Sequence, residues 1–302
     1  MASTKPILAV TMGDPSGTGP ELLAMALTDP EITSVCRPLV IGSGSVLEKA
    51  TRIIGGSAVV KKVEEPAQVG EDETVIHVLD MDIVEMDNLR HGVVDPRNGE
   101  AAYRFIEKAV QVTLEGSAHA VVTSAINKKA LNDAGYHFDG HTEILAHLTG
   151  APRVTMMLVA GKLRVCHVST HVSLKKAIER VKPERILDVI KLADAGVREM
   201  GVDNPHIAIA GLNPHAGEGG LFGDEEIQFI EPAIQEANKR GYHVSGPYAG
   251  DTIFFRTLQG QFDCGVAMYH DQGHVAAKML GIWLGVNVTL GLPIIRTSVE
   301  HG

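Results

Sequence analysis

The segment CGVAMYHDQGH, residues 264–274, joins an apolar run typical of a buried strand to a cluster of polar side chains. From His270 to His274 it carries two imidazoles, a carboxylate and an amide at the carboxyl end of that strand. Active sites of α/β proteins lie outside the carboxyl ends of the strands. The segment therefore predicts both a strand of an α/β sheet and part of a functional site.

Two other segments repeat this arrangement. The string VCHVSTH ends in His171 after an apolar run, and IAIAGLNPH ends in His215 after another. Three histidines at three strand ends suggest a divalent metal that keeps an open coordination position, which is typical of a catalytic site. Taken alone, His215 in the glycine-rich segment 213–220 is explained equally well as a solvated loop residue.

Apolar runs alternate with helix-period segments along most of the chain, which predicts an α/β fold with a mostly parallel sheet. Two apolar runs within residues 154–168 are joined by Ala160-Gly161-Lys162, which predicts a hairpin and hence a mixed sheet. The predicted strands are 6–12, 38–42, 75–80, 120–126, 206–212, 242–246, 264–269 and 286–290. Longer helices are predicted at 98–114, with Asn98 as its N-cap, and at 183–200.

Size and charge limit the possible functions. The 302 residues are 44% hydrophobic, which is enough for two cores. With 27 Lys and Arg against 37 Asp and Glu, the net charge of −10 argues against nucleic-acid or membrane-surface binding. We find no secretory signal and no membrane-spanning run. Three cysteines without a CxxC motif favour a reducing, cytoplasmic location.

Several segments could bind an anion. The segment MGDPSGTGPE, residues 12–21, lacks the GxGxxG and GK[ST] patterns, so a structural turn and a ligand contact are equally compatible with it. Thr142 is predicted to cap a helix over 143–148, which would place His141 beside the helix N-terminus. Lys278, Asn287 and Arg296 are singly typical of surface or turn residues, but together they could bind a phosphorylated substrate.

Together these segments resemble the 4-hydroxythreonine-4-phosphate dehydrogenase (PdxA) family. The matching strings are, in chain order, GDPSGTGPE, GHTE, STH, LNPHAGEGG, YHDQG, GVNVTLGLP and IRTSVEHG. The resemblance implies two α/β domains separated by a cleft, similar to isocitrate and isopropylmalate dehydrogenases. We place the first domain at 1–140 plus 291–302 and the second, with most metal ligands, at 141–290. Family members continue into further structure beyond the position of Gly302.

The resemblance also implies a site and its cofactors. It implies a homodimer with the active site at the subunit interface, an NAD cofactor (with NADP as the alternative) and a zinc ion (with magnesium or cobalt as alternatives). The metal ligands implied are His171, His215 and His270. The substrate contacts implied are His141, Thr142, Lys278, Asn287 and Arg296. Of these, Lys278 and His141 are the catalytic candidates, and the general base stays open between Lys278 and a metal-bound water.

The reaction implied is the NAD-linked oxidative decarboxylation of 4-phosphooxy-L-threonine to 3-amino-2-oxopropyl phosphate and CO₂, within pyridoxal phosphate biosynthesis. Two features depart from the biosynthetic members: His274, where they have an apolar residue, and SAINKK at 124–129. The latter is similar to the branch acting on D-threonate or D-erythronate 4-phosphate, which would give dihydroxyacetone phosphate. More distant alternatives are an acyl- or phosphotransferase of related fold and a non-catalytic binding protein.

Overall fold

A computed structural model describes residues 5–281 and 283–299 of the chain. Contacts divide these residues into unit 1, which comprises 5–152 and 292–299, and unit 2, which comprises 153–281 and 283–291. The sequence-based boundary at 140 lies within unit 1, and the one at 290 lies beside the end of unit 2. The last three residues of the string IRTSVEHG lie outside the described residues.

Among its described residues, unit 1 forms a parallel sheet of six strands in the order β3-β4-β2-β1-β5-β12. The strands are β1 Ile7–Thr11, β2 Arg37–Gly42, β3 Val59–Val63, β4 Val75–Asp80, β5 Ala120–Thr123 and β12 Ile295–Val299. The helices are α1 Gly19–Ala26, α2 Pro30–Thr33, α3 Gly44–Ile53, α4 Pro96–Leu114, α5 Lys128–Asp133 and α6 His141–Thr149. Buried side chains of α3 and α4 share one core with the central strands. Parallel strands covered by helices read as continuous apolar runs, which is why the sequence predicts β1, β2, β4 and β5.

The described part of unit 2 forms a mixed sheet of six strands in the order β11-β6-β7-β10-β8-β9. The strands are β6 Thr155–Ala160, β7 Leu163–His167, β8 His206–Ala210, β9 His243–Tyr248, β10 Cys264–Ala267 and β11 Gly285–Leu290. The helices are α7 Leu174–Glu179, α8 Pro183–Glu199, α9 Glu231–Lys239, α10 Ile253–Leu258 and α11 His270–Met279. The predicted hairpin is confirmed: β6 pairs antiparallel with β7, while β7, β10, β8 and β9 are mutually parallel.

Two predicted helix starts are wrong. Helix α4 is capped by Asp95, whose carboxylate accepts a hydrogen bond from the Arg97 N–H. The helix starts there because Pro96 fits the first helical position. The predicted cap, Asn98, lies inside the first turn. Helix α6 begins at His141, after the extended residue Gly140, and makes no side-chain cap hydrogen bond. Thr142 is therefore a first-turn residue. The strand β3, at the edge of its sheet, was not predicted because its two lysines interrupt the apolar pattern.

Candidate active site

Three neighbouring strands of unit 2 deliver the three predicted metal ligands. Strand β10 lies between β7 and β8 and is parallel to both, so their carboxyl ends share one edge of the sheet. His270 is the first residue of α11, three residues after β10 ends; His171 follows β7 by four residues, and His215 follows β8 by five. The sheet order thus places all three at the same edge of the unit, as expected for parallel strands.

Two of these histidines are close to each other. The ring centroids of His171 and His270 are 5.6 Å apart. His270 Nδ1 lies 2.7 Å from Asp271 Oδ1, and because a carboxylate only accepts hydrogen bonds, Nδ1 carries the proton. Its Nε2 is then the nitrogen that can bind a metal. A carboxylate that orients a ligating imidazole in this way is a common feature of metal sites.

The structure adds two further imidazoles to this pair. His274, one helical turn after His270, stacks on its ring at 3.6 Å, and its Nδ1 donates to the His270 carbonyl oxygen. His167, the fully buried last residue of β7, lies 4.7 Å from His274 between ring centroids. Burial, followed by the nearby imidazoles, lowers the pKa of His274 to about 4 and that of His167 well below its usual value. Both rings are therefore neutral at pH 7, so they add no positive charge beside a metal.

His215 lies in a strained loop. The segment Pro214–Gly220 is a 3₁₀-like turn in which residues 215–219 all have positive φ angles. Three of these residues, His215, Ala216 and Glu218, are not glycine, and the left-handed conformation costs roughly 1–2 kcal/mol for each such residue. Strain of this kind persists only where surrounding contacts enforce it, and it is concentrated at functional sites.

Gln272 joins two of the strand ends. Its Oε1 accepts the Met268 N–H at 2.7 Å, and its Nε2 donates to the Gly211 carbonyl at 2.7 Å. The end of β10 and the end of β8 are thereby tied to each other. This amide is part of the string that the sequence singled out, but its role became visible only from the sheet order.

No group of three His, Cys, Asp or Glu side chains converges as a ligand set within the described residues. His171 and His270 approach each other, while the exposed His215 ring lies 6.1 Å from the Phe222 ring, between centroids. A cavity of about 770 Å³ adjoins His215 and Asp271, and most of its other lining residues are apolar. The single chain thus brings two of the three predicted ligands together.

The predicted substrate contacts divide between the units. Lys278 and Asn287 belong to unit 2, on α11 and β11, and both are half-buried. The side-chain oxygen of Asn287 is buried and has no hydrogen-bond partner among the residues described. An amide oxygen in this state can accept a hydrogen bond from a ligand without first breaking an internal one.

The other predicted contacts belong to unit 1. His141 and Thr142 occupy the first turn of α6, where backbone N–H groups lack intrahelical partners. Arg296 of β12 is buried, and its Nη2 donates to Thr123 Oγ1 at 2.6 Å. Burial lowers the pKa of Arg296 to about 10, against the opposing effect of Glu143, so the guanidinium stays charged at pH 7. A buried cation and a helix start are both favourable for an anion.

The GDPSGTGPE segment of unit 1 is held by close backbone packing. A Cβ on Gly13 would lie 2.2 Å from the Ala125 carbonyl oxygen, and one on Gly19 would lie 2.4 Å from that of Met12. Asp14 accepts the Ser16 N–H, and burial raises the pKa of its carboxyl group. These contacts explain the glycines as requirements of a tight turn.

Comparison with known proteins identifies the family. The family described as pyridoxal phosphate biosynthetic protein PdxA matches residues 34–302, so this chain belongs to the PdxA family. Within the residues described, no helical segment combines the length and the apolar character that a membrane span requires.

Individual relatives are similar over nearly their full lengths. The D-threonate 4-phosphate dehydrogenase of Cupriavidus necator is 43% identical, covering 100% of this chain and 91% of the relative. The 4-hydroxythreonine-4-phosphate dehydrogenase of Geobacter metallireducens is 42% identical, covering 100% and 89%. The crystal structure of the 4-hydroxythreonine-4-phosphate dehydrogenase of Klebsiella pneumoniae superposes with a TM-score of 0.93 at 40% identity, covering 99% and 91%.

Proposed function

We propose that this protein is a metal-dependent, NAD-linked dehydrogenase that oxidises and decarboxylates a four-carbon 4-phosphate. The observation that carries the proposal is the pairing of His171 with His270 at adjacent strand ends in a chain of the PdxA family. The names of the relatives support the dehydrogenase class. This function explains why histidines cluster at the strand ends, which an acyl- or phosphotransferase would not require.

The donor set suits a divalent metal. We assign His171, His215 and His270 as ligands, with zinc as the first choice and magnesium or cobalt as alternatives. The Asp271 contact on His270 Nδ1, which leaves Nε2 for a ligand bond, supports this assignment. A bound metal would stabilise negative charge that develops on the substrate oxygens. Because one chain brings only two of the ligands together, we propose that the site is completed in a homodimer, at the subunit interface.

The remaining residues would bind and orient the substrate. Arg296 and the α6 start with His141 and Thr142 would hold the anionic groups, and Asn287 would accept a hydrogen bond from a substrate hydroxyl or amine. Hydride would pass from C3 of the substrate to the nicotinamide of NAD⁺, or of NADP⁺ as the alternative, while the C3 hydroxyl proton leaves to a base. Lys278 is a candidate for that base. The resulting β-keto acid would lose CO₂.

Two substrates are supported, each by a relative of similar identity. One is 4-phosphooxy-L-threonine, which would give 3-amino-2-oxopropyl phosphate, and the other is D-threonate 4-phosphate, which would give dihydroxyacetone phosphate. D-erythronate 4-phosphate belongs to the second class.

The proposal includes a cleft between two domains, as in isocitrate and isopropylmalate dehydrogenases, and a cytoplasmic setting, which suits the three free cysteines.

The test follows NADH formation by zinc-loaded protein with each substrate, with NADP⁺ and metal-free protein as parallel assays. We expect metal-dependent turnover of at least one of the two phosphates, with CO₂ released in equal amount. The preferred substrate assigns the protein to biosynthesis of pyridoxal phosphate or to sugar-acid breakdown. Absence of nicotinamide reduction with any of these phosphates, by protein that binds metal, would refute the dehydrogenase assignment.

A further inference from the structure

Glu226 is a buried carboxylate at the centre of the His215 loop. It is 1% exposed and lies in the π-helical turn Glu226–Ile230 that precedes α9. A charged side chain in the interior is costly unless hydrogen bonds satisfy it. Glu226 is not among the predicted ligands or substrate contacts, so its burial needs another explanation.

The hydrogen bonds of Glu226 all lead to the start of that loop. Its Oε1 accepts the backbone N–H groups of Leu212 at 2.7 Å and Asn213 at 2.8 Å, and its Oε2 accepts Asn213 Nδ2 at 2.9 Å. These residues lie three and two positions before His215. Two consecutive backbone donors aimed at one oxygen fix the direction in which the chain leaves β8.

The loop also closes sterically around this carboxylate. A Cβ on Gly217 would lie 2.7 Å from Glu226 Oε2 and 3.0 Å from the Gly223 carbonyl oxygen, and one on Gly211 would lie 2.7 Å from Ala216 Cα and 3.1 Å from Glu226 Oε1. By contrast, a Cβ on Gly219 would meet no atom within 4 Å, although its φ angle is also positive. Close packing against Glu226 and the Gly223 carbonyl, and not only the backbone conformation, therefore requires glycine at position 217.

We propose that Glu226 is a positioning residue that holds residues 215–219 in their left-handed conformation and so presents His215 to the metal. This inference rests on the proposed function for the ligand role of His215, and on the hydrogen bonds above for the anchoring itself. Gln272 holds the same loop at a second point, because its Nε2 donates a hydrogen bond to the Gly211 carbonyl oxygen. The strain in the loop is thus opposed by one carboxylate and one amide.

Two matched pairs of variants test the proposal in the full-length protein. Glu226→Gln keeps the shape but turns an NH₂ group toward one of the three donors, while Glu225→Gln alters a neighbour whose hydrogen bond within the described residues comes from the Asn213 side chain. Gly217→Ala displaces the carboxylate, while Gly219→Ala adds the same methyl group in open space. If Glu226→Gln does not fold, the comparison of Gly217→Ala with Gly219→Ala still tests whether Glu226 holds the loop.

Two readouts are measured: Co²⁺ affinity by competition with a chelator, and amide hydrogen exchange of residues 211–217 in the metal-free protein. We expect Glu226→Gln and Gly217→Ala to weaken Co²⁺ binding about 10- to 100-fold, the usual range for residues that orient a ligand, and to speed up exchange in the loop. Glu225→Gln should stay close to wild type in both, and Gly219→Ala, which adds left-handed strain but no close contact, should change both less than Gly217→Ala does.

The outcomes separate this inference from the proposed function. Wild-type affinity and wild-type exchange in Glu226→Gln, or in Gly217→Ala if the former does not fold, would overturn the inference. If the wild-type protein binds no Co²⁺ or Zn²⁺, the metal assignment fails. In that case the exchange rates still decide whether Glu226 holds the loop.

Discussion

The two units hold their strand-end loops in different ways. In unit 1, the loop at Gly13 and Gly19 is fixed by backbone atoms that leave no room for a side chain. In unit 2, the loop around His215 is fixed by the carboxylate of Glu226 and the amide of Gln272. Both loops are therefore sensitive to added volume, but only the second is expected to respond to the loss of a single polar group.

The units also differ in the chemistry that they supply. Unit 1 contributes a buried cation, Arg296, and a helix start at His141, both suited to an anion. Unit 2 contributes imidazoles at the ends of β7, β10 and β8, suited to a metal. If the proposed function holds, substitutions in the two units should separate anion binding from metal binding.

The largest expected effect comes from one substitution in each unit, which together test whether metal binding and anion binding can be separated. His215→Ala should lower metal affinity by more than about 100-fold, beyond the range seen for residues that only orient a ligand, and turnover should be lost with it. Arg296→Lys should leave metal affinity unchanged and lower kcat/KM by about 10- to 100-fold, mainly through KM, since it loses the planar, forked guanidinium. Metal titration and steady-state kinetics measure both. Full activity of His215→Ala without metal would refute the ligand assignment.

A smaller effect tests the packing of the unit 1 loop. Gly13→Ala would place its methyl group 2.2 Å from a carbonyl oxygen at a φ of +75°, and we expect a loss of about 2–5 kcal/mol in the free energy of unfolding. Gly55→Ala is the matched control, because its φ is +67° and no atom lies within 4 Å. In urea unfolding, Gly55→Ala should lower the free energy of unfolding by only about 1 kcal/mol. Equal losses in the two variants would show that backbone strain alone, and not close packing, explains Gly13.

The smallest effect concerns acid sensitivity. In unit 1, burial lowers the pKa of His77, whose Nε2 accepts the Gly70 N–H. The unfolded chain therefore binds this proton first, and stability falls as the pH drops below about 6.5, by at most about 1.4 kcal/mol per pH unit. His77→Gln keeps an acceptor and removes the titration, so unfolding free energy should depend less on pH between 7 and 5.

Unit 2 should remain the more acid-sensitive unit in that variant. It holds His167, His206 and His274, whose pKa values are all lowered, mainly by burial, whereas His77 is the unit 1 histidine that the variant removes. Hydrogen exchange of the two units at pH 7 and pH 5 measures the difference. If both units lose the same amount of hydrogen-exchange protection between pH 7 and pH 5, unit 2 is not the more acid-sensitive one.

Several elements could be read directly from the sequence because their causes are local. The predicted bounds of strand β4 match the observed ones, since the mainly apolar run Val75–Asp80 follows a polar segment and is buried over its four central residues. The hairpin of β6 and β7 was signalled by Gly161, which adopts a positive φ of 59°. Helix α8 begins with Pro183 and ends within a residue of its prediction. The strings around His171, His215 and His270 also identified the family, which the comparisons confirm.

The tertiary structure decided how those pieces meet. That His171 and His270 approach each other follows from β10 lying beside β7, and sheet order is not encoded by any local pattern. Glu226 lies in the acidic string DEE at 224–226, where periodicity cannot distinguish a buried anchor from a solvated carboxylate. Its partners are 13 and 14 residues away in sequence. Local propensities place strands and turns, whereas the burial and pairing of a charge depend on packing between distant segments.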